Sequence, residues 1–304
     1  MAAAPPVAAK PKRKKRVYEV GSLRRERRKE ITRKIFIYAF LIVASLPIFL
    51  GYLWLLIGSF TGELVGLIPK RGFTLEYWKF LWESPLQAFP SIWPVFRNTL
   101  YLGLGTTVIV VAVAVTAAYA ISRLKFRGRS LMLAATLIFH AFPAVTLLIA
   151  LYWILRTLGL NDSLIGVILV RAGTLVPFAI WVMKGFFDNV PWDIEMSALV
   201  DGATRFQAWR KVVLPLVGPG VAAISIFAFL EGWSEYIMVV TFIRDPDAWT
   251  LASYINAVIG GYRFTQYGLL AAVSLFYMIP VLLFFLFTQK YLMQMAIGGL
   301  KGGR

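Results

Sequence analysis

The chain contains no cysteine, a single histidine and only 15 acidic residues in 304. The first absence excludes disulfide frameworks, thiolate metal sites, cysteine nucleophiles and iron–sulfur ligation. The second leaves no material for a His-rich metal centre. Charged residues of both signs make up only 15% of the chain, too few to clothe a water-soluble surface. Apolar residues fill the gap: hydrophobic content is 59%, with 23 Phe, 13 Tyr and 10 Trp, and the mean hydropathy is +0.71. Disorder requires the opposite composition, and an ordinary soluble enzyme is excluded with it, so lipid is the expected solvent. The formal charge of +17 points to nucleic acid only until it is located. Thirteen of the 32 basic residues lie between Lys10 and Lys34, opposed in the first 34 residues by Glu19, Glu26 and Glu30 alone.

Six stretches are long and apolar enough to cross a hydrocarbon core of about 30 Å, which takes about 20 helical residues. Ile35–Phe60, Asn98–Ser122 and Tyr267–Gln289 carry no charge, and Ser130–Leu155 carries only His140. Ser163–Met183 is interrupted by Arg171, and a fifth span from about Val217 to Ile243 holds Glu231 and Glu235. Lipid offers open backbone groups no partner, so the expected class is an all-α polytopic membrane protein of six helices. Residues 1–34 read as a flexible basic cytoplasmic tail, and residues 35–304 as one transmembrane domain. With the amino terminus inside, the inner segments hold 24 Lys and Arg and the outer ones 7, a bias that places both termini in the cytoplasm. In the outer segment Thr61–Arg97, the stretch Phe73–Trp82 is aromatic and amphipathic, which suits a helix lying at the membrane interface.

The inner segment 184–215 carries the local signals. Pro191 suits a first helical turn, and Gly202 is placed to end that helix in a left-handed conformation. Thr204 followed by Gln207 is a capping-box pattern that starts a second helix. The spacing predicts a short helix, a sharp turn and another short helix, a rigid knob for a soluble partner.

At these residues the chain resembles a known family. Glu195 to Pro215 is similar to the EAA loop of permease subunits of ABC importers, whose pattern is Glu-Ala-Ala, three residues, Gly, nine residues, then Ile-x-Leu-Pro. Met196, Ser197 and Ala198 fall on Glu-Ala-Ala, and Val212, Leu214 and Pro215 on Ile, Leu and Pro. Asp201-Gly202-Ala203 matches the sugar-importer version. The chain departs from the pattern in that the family Glu is Met196, with Glu195 one residue earlier. Phe142-Pro-Ala-Val145, Leu158-Gly-Leu-Asn-Asp-Ser163, Gly232-Trp-Ser-Glu-Tyr236 and Ala296-Ile-Gly-Gly-Leu-Lys-Gly302 extend the likeness, which is to the maltose and trehalose type. It implies the permease fold, with a coupling helix between the fourth and fifth spans. It also implies a prokaryotic inner-membrane complex of this subunit, a second permease, two ATPase subunits and an external solute-binding protein, carrying a di- or oligosaccharide. ATP and Mg would bind the ATPase partner, because no G-x-x-x-x-G-K-[ST] phosphate loop is present here.

Glu195, Met196, Ser197, Ala198, Asp201, Gly202, Ala203, Leu214 and Pro215 are therefore the expected ATPase-coupling residues. Trp233, Glu235, Tyr236, Glu231 and Arg171 are the candidates for the substrate pathway, since intramembrane charges are costly and commonly functional. Glu231 and Glu235 are expected on one helix face, and Glu235, on the family's Trp-x-Glu pattern, is ranked above Glu231 for substrate passage. Arg171 either pairs with one of the acids or lines the path, and His140 is read as a packing donor in preference to a proton carrier. The competing function is a self-sufficient ion-coupled transporter using Glu231, Glu235 and Arg171. Against it stand the lack of a repeat and of paired broken helices. An intramembrane enzyme would need a nucleophile–base constellation that the chain lacks.

Overall fold

The computed structural model describes residues 20–62, 64–65, 68–69, 72–85, 89–260 and 266–301. The segment 1–19 lies outside them, as do Lys70, Arg71, Arg263 and Gly302. Two compact units are present, Met1–Trp54 and Leu55–Arg304. In the first, α1 (Val20–Phe60) begins within the basic segment, fifteen residues before the apolar stretch. The expected flexible tail is thus helical from Val20: Arg, Lys, Glu and Leu are good helix formers, and Glu30 pairs with Lys34 at 2.8 Å one turn on. From Ile35 to Leu50 the helix is apolar on every side, the composition of a span solvated by lipid.

The second unit is built around α2 (Ile92–Arg123), packed against α5 (Leu164–Asp188) and α9 (Gly218–Trp233). Helix α2 crosses α9 at glycine: a Cβ on Gly232 would stand 3.0 Å from the Leu102 carbonyl oxygen and from Gly103 Cα. Small residues there let two backbones meet without side chains between them. The long helix α12 (Tyr267–Lys301) completes the bundle. Among the described residues the strand content is one two-residue pair, Leu64–Val65 against Ile68–Pro69, so the all-α reading holds.

Among the described residues four helices are long and apolar enough to cross a membrane, or up to six if each of two bent pairs counts as one span. The bends depart from the sequence expectation of unbroken spans. The third stretch divides into α3 (Arg129–Ala141) and α4 (Leu148–Thr157), with a 90° bend at Phe142-Pro143. Pro143 removes a donor and forces Phe142 to extended backbone (φ −81°, ψ 124°), so the helix ends where that residue begins. The second bent pair, Arg205–Leu216 with Gly218–Trp233, meets at 75°, and the fifth stretch is broken again where α9 stops at Trp233, Glu235 lies in a non-helical link and α10 (Ile237–Phe242) resumes. Glu231 and Glu235 therefore do not share a helix face. Contrary to the sequence expectation, broken helices are present, so they do not separate this chain from an ion-coupled transporter.

Phe73–Trp82 also differs from expectation. It forms a six-residue 3₁₀ turn, Glu76–Leu81, with Phe80 buried edge-on against Phe276 at 5.8 Å. The aromatics that read as a membrane-surface face are partly spent on the core of the second unit.

Candidate functional site

Helices α6 (Trp192–Val200) and α7 (Arg205–Ala208) form the knob that the spacing predicted. Pro191 caps α6 from just outside, and Asp193 and Glu195 put acid in its first turn, where the helix dipole favours it. Gly202 has φ +89°, a left-handed conformation that glycine adopts at little cost. The turn is closed by hydrogen bonds from Gly202 N–H to Leu199 O (3.1 Å) and Ala203 N–H to Ala198 O (3.0 Å). The capping box is complete: Gln207 N–H donates to Thr204 Oγ1 at 3.3 Å, and Thr204 N–H to Gln207 Oε1 at 2.9 Å. Trp209–Val213 then widens to a π-helical turn before α8 (Leu214–Leu216). Pro215 accounts for it, since its ring displaces the carbonyl four residues back and it has no N–H to give.

The nine expected coupling residues separate into three sets. Ser197, Asp201 and Gly202 are exposed; Met196, Ala198 and Ala203 are half-buried on the same knob. Asp193, Met196, Ser197, Val200 and Asp201 line a shallow depression there, with Val200 87% exposed at its edge. Pro215 is exposed and Leu214 half-buried at the entry to α9. Glu195 alone points inward. Its Oε2 pairs with Arg123 Nε at 3.2 Å, and its Oε1 accepts a 2.6 Å hydrogen bond from the Tyr119 hydroxyl. Both partners lie in the last turns of α2, and sequence reasoning passed over them. Their i, i+4 spacing at the end of a span was the available signal.

The intramembrane charges meet. Arg171 of α5 bridges both acids, with Nη2 on Glu231 Oε2 and Nε 3.1 Å from Glu235 Oε2. Glu235 is buried, and its Oε1 accepts from Met238 N–H at 2.9 Å, capping α10 across the break. Glu231 has a half-exposed side chain. With Arg171 it sits on the wall of a cavity of about 900 Å³ under the α3–α4 bend, where Phe139, His140, Phe142 and Phe178 supply apolar surface. Arg171 pairs with both acids and also borders this cavity. His140 stacks on Phe178 at 5.3 Å, consistent with its packing role.

Two pathway candidates lie elsewhere. Trp233 is 1% exposed among Phe96, Phe229 and Tyr277, a core position where the motif had suggested a pathway residue. Tyr236 donates its hydroxyl to Asn256 Oδ1 at 2.7 Å in α11 (Leu251–Gly260), apart from the large cavity. At this end of the unit Asp162 holds a left-handed φ of +56° and accepts from the Arg244 and Asp245 amides at 2.7 and 3.3 Å. Those bonds hold its carboxyl below the usual range. Among the described residues no three metal-ligating side chains come together.

Comparison with known proteins bears on this geometry. Residues 110–295 match the family described as binding-protein-dependent transport system inner membrane component. The trehalose transport system permease protein SugB of Mycobacterium tuberculosis is 35% identical over 207 residues, covering 67% of this chain and 76% of that protein. The maltose/maltodextrin transport system permease protein MalG of Yersinia pestis is 33% identical over 251 residues, 78% and 82% of the two chains. A solved bacterial ABC transporter involved in the import of the acidic polysaccharide alginate shares the fold, with a TM-score of 0.70 at 21% identity over 91% of this chain and 99% of that one.

Proposed function

The chain belongs to the family of binding-protein-dependent transport system inner membrane components, and from this premise we propose that it is a pathway subunit of an ATP-driven carbohydrate importer. The observation that carries the proposal is the α6–Gly202–α7 turn, with glycine-to-proline spacing intact, inside the segment the family profile covers. The permease names of its relatives support a di- or oligosaccharide of the maltose or trehalose kind as cargo. The excess of Lys and Arg in 184–211 and the amino-terminal segment supports a cytoplasmic position for the knob and both termini. The basic segment would rest on anionic headgroups at about 1 kcal/mol per adsorbed cation.

In this reading the knob seats in a separate ATPase subunit, a second permease closes the pathway, and an external binding protein delivers the sugar. ATP binding draws the two coupling helices together and turns the cavity outward; hydrolysis lets it return. Met196, Ser197, Ala198, Asp201, Gly202 and Ala203 form the docking face. Glu231 and Arg171 face the path, where a carboxylate accepts hydroxyls and a guanidinium donates to them. Glu235, buried and capping α10, holds Arg171 in place, which reverses the ranking made from the motif. Uptake of trehalose and of maltose by vesicles holding the complete complex tests the proposal. Uptake that requires both ATP and the binding protein is expected. Uptake driven by an ion gradient alone, with this chain as sole protein, refutes it and restores the ion-coupled alternative.

A further inference from the structure

Helix α6 is continuous in the chain with α5 before it and, through Gly202, with α9 after it. Its polar ties run elsewhere, to α2. The Arg123 guanidinium, in the last turn of α2, is shared three ways: Nε pairs with Glu195 of α6 at 3.2 Å, and Nη2 donates to the Phe187 carbonyl at 2.9 Å and to the Val190 carbonyl at 2.7 Å. Its carbon lies 5.2 Å from the centre of the Trp192 ring, within cation–π range. One planar group thus grips the end of α5, the link and the first turn of α6, and its fixed fork of donors is what allows that. The pair is withdrawn from solvent, with side chains 7% and 4% exposed. A buried pair of this kind holds only when its geometry is kept and its remaining hydrogen-bonding capacity is met. Tyr119, one turn earlier, meets the second oxygen of Glu195, and its ring packs at 5.7 Å on Phe187 and 6.1 Å on Trp209.

Helix α2 carries this attachment to the opposite end of the unit. There the Asn98 amide donates to the Asp247 and Trp249 carbonyls at 2.7 and 3.0 Å, and Thr99 Oγ1 accepts from Leu251 N–H at 2.8 Å. Between the two ends α2 meets α9 at the Gly103–Gly232 crossing. A displacement of α6 must therefore move α2, or break a buried ion pair and the hydrogen bonds around it.

We infer that Arg123, with Glu195 and Tyr119, is the joint that converts displacement of the coupling helix into movement of α2, making α2 the lever to the opposite rim. These three are positioning residues; none faces the cavity. The inference rests on the coupling role proposed above for α6.

The lack of cysteine gives a substrate-independent test. Leu147→Cys places one thiol on the cavity wall, and its rate of labelling by a membrane-impermeant maleimide is followed in the assembled complex with and without ATP and Mg. In this background ATP is expected to change the rate. Arg123→Met, which keeps the volume and removes the fork, is expected to reduce that change about ten-fold, the scale of losing hydrogen bonds to a charged group, while ATP hydrolysis continues. Arg123→Lys should recover part of it, since a point charge satisfies one of the three acceptors, whereas a packing role would be served better by Met. Should Arg123→Met fail to assemble, Glu195→Gln and Tyr119→Phe, each removing one interaction at constant shape, carry the test. An undiminished ATP response in these variants overturns the joint. No ATP response in the Leu147→Cys background, with labelling still detectable, overturns the coupling reading and the joint with it.

Discussion

Replacing Gly202 tests the coupling turn on its backbone alone. Its φ is +89°, and a Cβ built there meets no atom within 4 Å, so any penalty is conformational and none is steric. For an L-residue the left-handed region costs about 1–2 kcal/mol, with Asn the common exception and β-branched residues the worst. One or two kcal/mol shifts a two-state population by roughly 5- to 30-fold. If the turn releases, the bonds from Gly202 and Ala203 to Leu199 and Ala198 go with it, and α6 and α7 lose their fixed angle. Stimulation of the partner ATPase by the binding protein should therefore fall in the order Asn, Ala, Val, with Gly202→Asn near wild type and Gly202→Val reduced by about 10-fold or more. The assay is hydrolysis in reconstituted complexes of matched subunit content. Wild-type stimulation in Gly202→Val refutes the reasoning. So does a harmless Ala beside a damaging Val, because that pattern belongs to a filled space and the site is open.

The remaining expectations concern the interior and the far rim. Glu231→Gln should weaken sugar uptake with the complex intact, whereas Glu235→Gln should lower the unfolding temperature, since breaking a buried pair costs about 3–5 kcal/mol; equal effects on both readouts would dissolve the distinction between facing the path and holding Arg171. Gly232→Ala places a methyl 3.0 Å from the Leu102 carbonyl, and overpacking of about 1–3 kcal/mol should appear as a lower unfolding temperature in detergent; an unchanged value would show that the α2–α9 contact yields. Asp162 has a depressed folded pKa, so its contribution is present above the unfolded value of about 4 and is lost as pH falls through the folded value. The protection factors of the Arg244 and Asp245 amides, measured against the intrinsic exchange rate at each pH, should be high at neutral pH and fall only as pH drops through the folded value. Asp162→Ala should show the low protection at pH 7, and high protection there would remove the staple.

Much of the membrane architecture was legible because it depends on composition over about 20 residues, and lipid leaves few solutions for such a stretch. Gly202, Thr204 and Gln207 were legible for another reason: their bonds close within four residues, so the pattern carries its own geometry. The bend at Pro143 was present as a signal and went unread, since proline within an apolar run is tolerated in membrane helices and as readily leaves them whole, as Pro280 does in α12. The break at Glu235 had no local signature; it is held by a side chain capping the next helix and by an arginine 64 residues earlier.

The sequence by itself determined the solvent, the all-helical class and the conformation of the turn after α6, all of which follow from short-range periodicity and from what hydrocarbon forbids. Only the tertiary structure decided which carboxylate looks into the cavity, that Trp233 is core, and that Glu195 faces inward to Arg123 and Tyr119. Those outcomes depend on which segments lie side by side. A residue's hydropathy states the cost of burying it, whereas its partner is set by packing between helices tens of residues apart, and here that partner separates anchoring from exposure.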